Sequence, residues 1–119
     1  MLSIATLRLS RLNLGVNDLD AAERFYGGLL GLPTVREHEQ IEVRWPTFLL
    51  VLSLRPPSDR AKFHFGFAVE SAAEVDAWAR RLRDGGAELI SGPATDGPLR
   101  KLFFLDPDGY EIEIYSEAR

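Results

Sequence analysis

The chain contains no cysteine, and this absence excludes two classes of site. Without cysteine, neither a disulfide framework nor a thiolate metal site can form. Histidine is scarce as well, with two residues in 119. A metal site in this chain would therefore have to be built from His38, His64 and carboxylates.

Long apolar runs and an excess of basic residues are also missing. The longest apolar run, residues 48–52, is far too short to span a bilayer. The opening sequence MLSIATLRLS lacks the apolar stretch and cleavage site of a signal peptide. The net charge of −4 disfavours nucleic acid, which requires a basic face. We therefore expect a soluble cytoplasmic protein that binds neither membranes nor nucleic acid.

One sequence pattern occurs twice, shifted by 53 positions. The segment KFHFGFAV falls on LSRLNLGV, so that His64 matches Arg11, Phe67 matches Leu14 and Val69 matches Val16. In both copies, alternation with a period of two gives way to a period of 3.6. This change is typical of a strand followed by an amphipathic helix.

The repeat predicts an α+β fold of two tandem βαβββ modules. They are expected at about 6–55 and about 62–117, joined by a linker at about 55–61 that contains RPPSD. Each curved mixed sheet would lay one face on its own helix, and the two remaining faces would line a shared cleft. A phase shift near Ser10 indicates a bulge or a separate N-terminal extension.

In the first module, Leu12, Leu14 and Val16 should face the helix, whereas Arg11 and Asn13 should face away. Asn17 or Asp18 can cap the helix, and Gly31 with Pro33 should end it. The helical stripe is expected to comprise Leu19, Ala22, Phe25, Tyr26, Leu29 and Leu30. Residues 34–54 should form three strands, broken near residues 39–40 and near Pro46.

The second module begins with Phe63, Phe65, Phe67 and Val69 on one face and His64, Gly66 and Ala68 on the other. SAAE, residues 71–74, is a capping box that opens a helix with Trp78 in its core. A short strand at 87–90 should lead into a mobile loop, GPATDGP, at 92–98. Strands at 99–105 and 111–115 should form a hairpin around DPDG, whose proline and glycine suit a type I turn.

Three segments with this order and spacing resemble the vicinal oxygen chelate superfamily. They are LNLGVNDLDAAERFYGGLLGL (12–32), FHFGFAVESAAEVDAWARRLRDGGAEL (63–89) and FFLDPDGYEIEIY (103–115), which cover over half of the chain. That superfamily includes glyoxalase I, extradiol dioxygenases, and fosfomycin- and bleomycin-resistance proteins. The resemblance implies the paired βαβββ fold and a small-molecule ligand or substrate.

The resemblance also implies metal ligands early in the first strand and in the last strand of each copy. The second copy has His64 and Glu113 there, whereas the first copy has Arg11 and either Ser53 or Leu52. Arginine has no lone pair for a metal, and a catalytic divalent site takes three protein ligands. His38 lies in REHEQ, which reads as a solvated hairpin tip. We therefore favour no metal cofactor, with His64 and Glu113 as ligands if Zn, Ni, Fe or Mn does bind.

The candidate site is a network of Arg11, Glu113 and His64 on the floor of the cleft. Glu113 or His64 can act as a general base on a bound substrate. Alternation places further ligand-binding candidates beside Arg11 in the cleft: Asn13, Ser53, Lys101, Phe103, Glu111 and Tyr115. Trp45 is expected beside the cleft, on the hairpin strands, as another ligand-binding candidate. Ordinary packing of Tyr115 and solvation of Lys101 are the alternatives for those two residues.

Three functions remain open from the sequence. The first is a metal-free binding protein similar to the bleomycin-resistance members of the superfamily. The second is a metal-dependent lyase, isomerase or dioxygenase, and the third is a structural or regulatory protein without a ligand. The resemblance further implies a homodimer, in which the cleft is built within one chain or across two.

Overall fold

The computed structural model describes residues 8–57 and 63–117. Contacts divide the chain into two units, with the division after Ser58. Each unit contains a mixed four-stranded sheet and one helical segment, so the predicted α+β fold of two βαβββ units is confirmed. The predicted linker lies largely in residues 58–62, outside the described part of the chain, and the predicted module limits stay predictions.

The first sheet has the order β1-β4-β3-β2, in which β1 runs parallel to β4 and the other pairs are antiparallel. Apolar residues on one face of the sheet are buried together with the helix, among them Leu14, Ile41, Val43 and Leu52. The elements in chain order are β1 (Arg11–Val16), α1 (Leu19–Ala22) continuing as a π-helical segment (Glu23–Leu29), β2 (Thr34–Glu37), β3 (Gln40–Trp45) and β4 (Phe48–Leu54).

The first helix differs from the regular helix that the sequence predicts. Asp18 caps it as expected, since its Oδ1 accepts from the backbone N–H of Ala21 at 3.1 Å. From Glu23 onward the turns widen, and the Leu30 N–H donates to the Phe25 carbonyl, five residues back. The wider turn buries Ala22, Tyr26 and Leu30, whereas Phe25 and Leu29 of the predicted stripe are only half-buried.

A glycine lets this wide helix lie close to β2. A Cβ atom at Gly27 would come within 2.9 Å of the Thr34 Oγ1 atom. The expected end of the helix is confirmed, because Gly31 has the positive φ of 71° that favours glycine after a helix. His38 lies at the exposed β2–β3 turn, as the REHEQ pattern predicts.

The second sheet repeats the arrangement with the order β5-β8-β7-β6, and β5 runs parallel to β8. The Ser71 half of the predicted capping box is confirmed, because its Oγ accepts from the Glu74 N–H at 3.2 Å. The Glu74 carboxylate in turn accepts from the Glu70 N–H at 3.4 Å, one residue before the cap. Trp78 is only partly buried and lies against the Arg81 guanidinium, 5.5 Å from the ring centroid. The elements are β5 (His64–Ala68), α2 (Ala72–Asp84), β6 (Glu88–Asp96), β7 (Leu99–Leu105) and β8 (Glu111–Glu117).

The prediction of a mobile loop at 92–98 is wrong for most of that segment. Strand β6 continues to Asp96 alongside β7, and only residues 97 and 98 form the turn. Its pairing with β7 shifts between Leu89 and Ser91 and again between Ser91 and Ala94. These irregularities accommodate Gly92 and Pro93, because proline is tolerated at bulges and on edge strands.

The DPDG hairpin between β7 and β8 is confirmed, and Asp106 holds it together. The Gly109 N–H donates to the Asp106 carbonyl at 3.0 Å and closes the turn. The Asp106 carboxylate is buried and accepts from the backbone N–H groups of Asp108 and Tyr110, both at 2.9 Å.

The predicted phase shift near Ser10 concerns residues that lie mainly outside the described ranges. Within those ranges Leu9 is exposed, and the Ser10 carbonyl accepts from the Leu49 N–H at 2.8 Å. The helices of the described ranges are all too short or too polar to cross a membrane.

Candidate functional site

Each sheet has one face turned away from the helix of its own unit, which we call its open face. In the first sheet the open face carries Arg11, Asn13, Gln40, Glu42, Arg44 and Ser53. In the second sheet it carries His64, Lys101, Phe103, Glu111, Glu113 and Tyr115. Most of the residues singled out by the sequence therefore lie on these two faces.

On the second open face, His64 lies between two carboxylates. Its Nδ1 atom is 3.6 Å from Glu111 Oε2, and its Nε2 atom is 3.5 Å from Glu113 Oε1. The Phe103 ring meets the imidazole edge-on at a centroid distance of 5.2 Å. Gly66, the neighbour of Glu113 across β5 and β8, lets the two strands approach closely here, because a Cβ there would lie 3.2 Å from the Glu113 carbonyl oxygen and 3.3 Å from its Cβ.

Lys101 and Tyr115 extend the same face toward the other end of the strands. They are opposite each other across β7 and β8, and both are half-buried. The Lys101 ammonium lies 6.0 Å from the Phe103 ring centroid and 3.5 Å from Asp96 Oδ2. This face therefore combines an acid–base cluster with aromatic surface and one ammonium group.

On the first open face, Asn13 is the acceptor for two donors. Its Oδ1 atom accepts from Ser53 Oγ at 3.0 Å and from Arg55 Nη2 at 2.9 Å. Arg55 follows β4 directly, and its contact with Asn13 was not predicted from the sequence, because RPPSD indicates a linker that starts at this residue.

A second cluster on this face surrounds Glu42. Its carboxylate accepts from Arg44 Nε and from Gln40 Nε2, both at 2.8 Å. The hydrogen bond from Arg44 is the main reason that the pKa of Glu42 lies below its ordinary value, with smaller contributions from Gln40 and from the charge of Arg11. In turn, Glu42 raises the pKa of Arg44, and the charge of Glu37 acts in the same direction.

Gln40, Glu42 and Arg44 were not predicted as site residues, although the sequence contains a signal for them. In QIEVRW, the apolar Ile41 and Val43 must face the helix, so strict alternation turns the other side chains outward. Trp45 shares the side of Ile41 and Val43 and packs edge-on against Phe48 at 6.3 Å. The strand register therefore separates Trp45 from the polar side chains of the open face, and its role in binding stays a prediction.

The strand pairing corrects one sequence match between the two units. Gly66 pairs with Glu113 in the second unit, and the matching Asn13 pairs with Val51 in the first. Val51, and not Ser53 or Leu52, is therefore the counterpart of Glu113. The β3–β4 and β7–β8 turns differ in length, so a match drawn along the sequence loses the register that pairing with the first strand restores.

These matched positions bear on the divalent metal that the resemblance implies. The second unit offers His64, Glu111 and Glu113, whereas the counterparts of His64 and Glu113 in the first unit are Arg11 and Val51, which have no lone pair to donate. Over residues 8–57 and 63–117, no three histidine, aspartate or glutamate side chains are grouped so as to hold a metal ion. The donor set thus does not fit the repeated ligand pattern.

Of the predicted network of Arg11, Glu113 and His64, the distances above concern only the contact between His64 and Glu113. The His64–Glu113 contact lies within the second unit, at 3.5 Å. Arg11 belongs to the first unit, and its participation stays a prediction.

Comparison with known proteins gives a consistent match over almost the whole chain. The family model for the Glyoxalase/Bleomycin resistance protein/Dioxygenase superfamily matches residues 8–114. A lactoylglutathione lyase of Neisseria meningitidis serogroup A is 30% identical over 91% of this chain and 89% of its own. That of Salmonella typhimurium is 27% identical over 91% of both chains. A crystal structure of a glyoxalase/bleomycin resistance protein from Albidiferax ferrireducens superposes with a TM-score of 0.79, at 25% identity, over 92% of this chain and 98% of that one.

Proposed function

Since the chain belongs to the Glyoxalase/Bleomycin resistance protein/Dioxygenase superfamily, we propose that it binds a small organic molecule on its open faces without a metal cofactor. The observation that carries the proposal is the mismatch between the units. The second unit has His64 and Glu113, and the first has Arg11 and Val51 at the same places in the strand ladder.

The chemistry of the open faces supports a small-molecule ligand. Aromatic surface from Phe103 and Tyr115 can contact the apolar part of such a ligand, and Lys101 can fix its orientation. Asn13 and Ser53 add polar groups on the first sheet, where they already contact each other. Trp45 is retained as a candidate that contacts the ligand from the end of the β3–β4 hairpin.

Metal analysis together with thermal unfolding tests the absence of a metal requirement. Protein purified without chelator is expected to contain far less than one equivalent of Zn, Ni, Fe or Mn. Adding each ion should leave the melting temperature unchanged, whereas a ligand at about 100 times its Kd stabilises by about 2.7 kcal/mol. Stabilisation by a metal in the wild type, lost in both His64→Ala and Glu113→Ala, would contradict the proposal.

A metal-dependent lyase, isomerase or dioxygenase is the second candidate. It is favoured by the relatives that are lactoylglutathione lyases and by the His64–Glu113 contact, since a carboxylate beside an imidazole can serve as a general base. Turnover of lactoylglutathione by metal-supplemented protein, abolished in Glu113→Gln, would favour this candidate. Glu111→Gln is the matched control, because it removes the other carboxylate beside His64.

Assembly and location complete the proposal. We propose a cytoplasmic homodimer, as the family resemblance implies. Light scattering on the eluting peak of a size-exclusion column is expected to give twice the mass of the chain, and a monomer mass at all concentrations would contradict the dimer.

A further inference from the structure

We infer that the open face of the first sheet holds the anionic group of the ligand, a carboxylate, phosphonate or sulfonate, against Arg11, Asn13 and Arg55. This inference rests on the proposed small-molecule function and specifies the class of molecule. The inference follows from which hydrogen-bond donors and acceptors on this face already have partners within the protein.

On this face the Asn13 Oδ1 atom and the Glu42 carboxylate already accept hydrogen bonds, whereas several donors make none within the described residues. Both side-chain hydrogen bonds of Asn13 go to its Oδ1 atom, so within the described residues its Nδ2 amide has no partner. The Arg11 side chain is exposed and makes no hydrogen bond to another described residue. Arg55 donates one of the five guanidinium N–H groups to Asn13. A group that only accepts hydrogen bonds complements this set.

The charges on this face also favour an anionic ligand group. Glu42 is engaged directly by Arg44 and Gln40, and Glu37 adds its charge near Arg44. The charge of Arg44 is therefore balanced by two carboxylates, Glu42 and Glu37. Arg11, in contrast, acts on Glu42 only through its charge. The guanidinium groups of Arg11 and Arg55 have most of their donors available, and a planar fork of this kind binds carboxylates and phosphonates in a bidentate manner.

The second sheet provides an internal contrast. At the position that matches Arg11 it has His64, flanked by Glu111 and Glu113. An anionic group placed on that face would meet two carboxylates, so it is expected to prefer the first sheet.

Four related aromatic probes test the inference on the folded, full-length protein. Benzoate and phenylphosphonate carry an anion, benzamide is neutral, and benzylammonium is a cation. Side-chain signals of Arg11, Asn13 and Arg55 in 1H–15N spectra report binding locally. The two anions are expected to shift these signals, with an effect that weakens as sodium chloride is added, whereas the other two probes should leave them unchanged.

Two arginine variants separate the subsite from general electrostatics. Arg11→Gln is expected to weaken benzoate binding about tenfold, as for loss of a charge-assisted hydrogen bond. Arg44→Gln removes the same charge from the same face, but it should change the affinity less than about twofold, because Glu42 already engages this guanidinium. The spectra also show whether each variant is folded.

The outcomes distinguish this inference from the function on which it rests. An equal loss of benzoate affinity in both variants would overturn the proposed anion subsite. Shifts with benzamide and benzylammonium as large as those with the anions would do the same. Either result would leave the proposed small-molecule binding intact. If neither anion shifts the three side chains, the subsite is also refuted. Absence of binding by all four probes would count against the proposed function as well.

Discussion

In the first unit β1 lies parallel to β4, in the second β5 lies parallel to β8, and each pair continues into two antiparallel strands. The sheet faces that pack on the helices are alike in side-chain chemistry as well as in strand topology. Leu50 and Leu52 match Ile112 and Ile114 in the ladder, and all four are buried. A sheet–helix ion pair also occurs in both units, as Arg36–Asp20 and Arg100–Asp76.

The open faces of the same two sheets differ. Where the first has Arg11 and Val51, the second has His64 and Glu113, and where the first has Glu42, the second has Phe103. The packing faces hold the repeated backbone in place, because a change there removes buried contacts. The open faces are not constrained in this way, so one scaffold can present two different chemistries.

Truncation at the matched buried positions should have the largest effect. Leu52→Ala and Ile114→Ala are each expected to lower the free energy of unfolding by about 2–5 kcal/mol, through lost apolar burial and the cavity left behind. Leu54→Ala in the same strand as Leu52 is the control, because its side chain is 45% exposed and should cost less than about 1 kcal/mol. Denaturant unfolding measures all three. A marginal effect at only one of the two buried sites would show that the units are not packed alike.

The second largest effect is expected at the turn that distinguishes the two hairpins. Asp106→Ala leaves the buried N–H groups of Asp108 and Tyr110 without their acceptor and should cost about 2–4 kcal/mol. Asp106→Asn keeps one carbonyl acceptor and should recover part of the loss. Thr47→Ala at the exposed turn of the first unit should change stability by less than about 0.5 kcal/mol. Equal losses for Thr47→Ala and Asp106→Ala would contradict the assignment.

Gly15 and its counterpart Ala68 offer a smaller test of the comparison. A Cβ at Gly15 would lie 2.9 Å from the Arg55 carbonyl oxygen and closer still to that of Pro56. Gly15→Ala is therefore expected to cost about 1–3 kcal/mol, because the chain after β4 must move. Ala68→Gly should cost only about 0.5–1 kcal/mol, from backbone entropy. If thermal unfolding shows Gly15→Ala to be neutral, this close approach does not persist in solution.

The smallest effect concerns the pKa of Glu42. Arg44 lowers it, so this pair contributes stability above the ordinary range of the carboxyl group, and the contribution is lost as the pH falls below about 4. Arg44→Gln should return the pKa of Glu42 toward its ordinary value in an NMR titration. The pKa of Asp20, which Arg36 lowers, should stay where it is. A Glu42 pKa that does not respond to Arg44→Gln would refute the assigned cause.

The sequence predicts much of the fold because apolar residues follow the strand period of two and the helix period of 3.6 closely. Leu12, Leu14 and Val16 in one copy and Phe65 and Phe67 in the other place the first strands, and Ser71 with Glu74 places the start of α2. DPDG identifies the β7–β8 hairpin for a local reason, since Asp106 satisfies the backbone of the turn by itself. These features depend on neighbours in sequence.

The features that sequence reasoning misses depend on neighbours in space. The wide turns after Glu23 lie where Gly27 closely approaches Thr34 of β2, and β6 continues past Pro93 because β7 offers a partner. Likewise, Val51 replaces Ser53 as the counterpart of Glu113 only when the register with β1 is known. The residue types of the open faces could thus be predicted, but not which of them lie side by side.

The parallel pairing of β1 with β4 and of β5 with β8 has a consequence for the order of folding. The hairpins and α2 join residues close in sequence and can form early, at low cost in chain entropy. Strand β5 gains its partner only when β8 arrives, after every other element of that unit has been passed. We therefore expect closure of these two parallel pairs to be the slow, cooperative step, so that each unit gains its edge strand and its stability together.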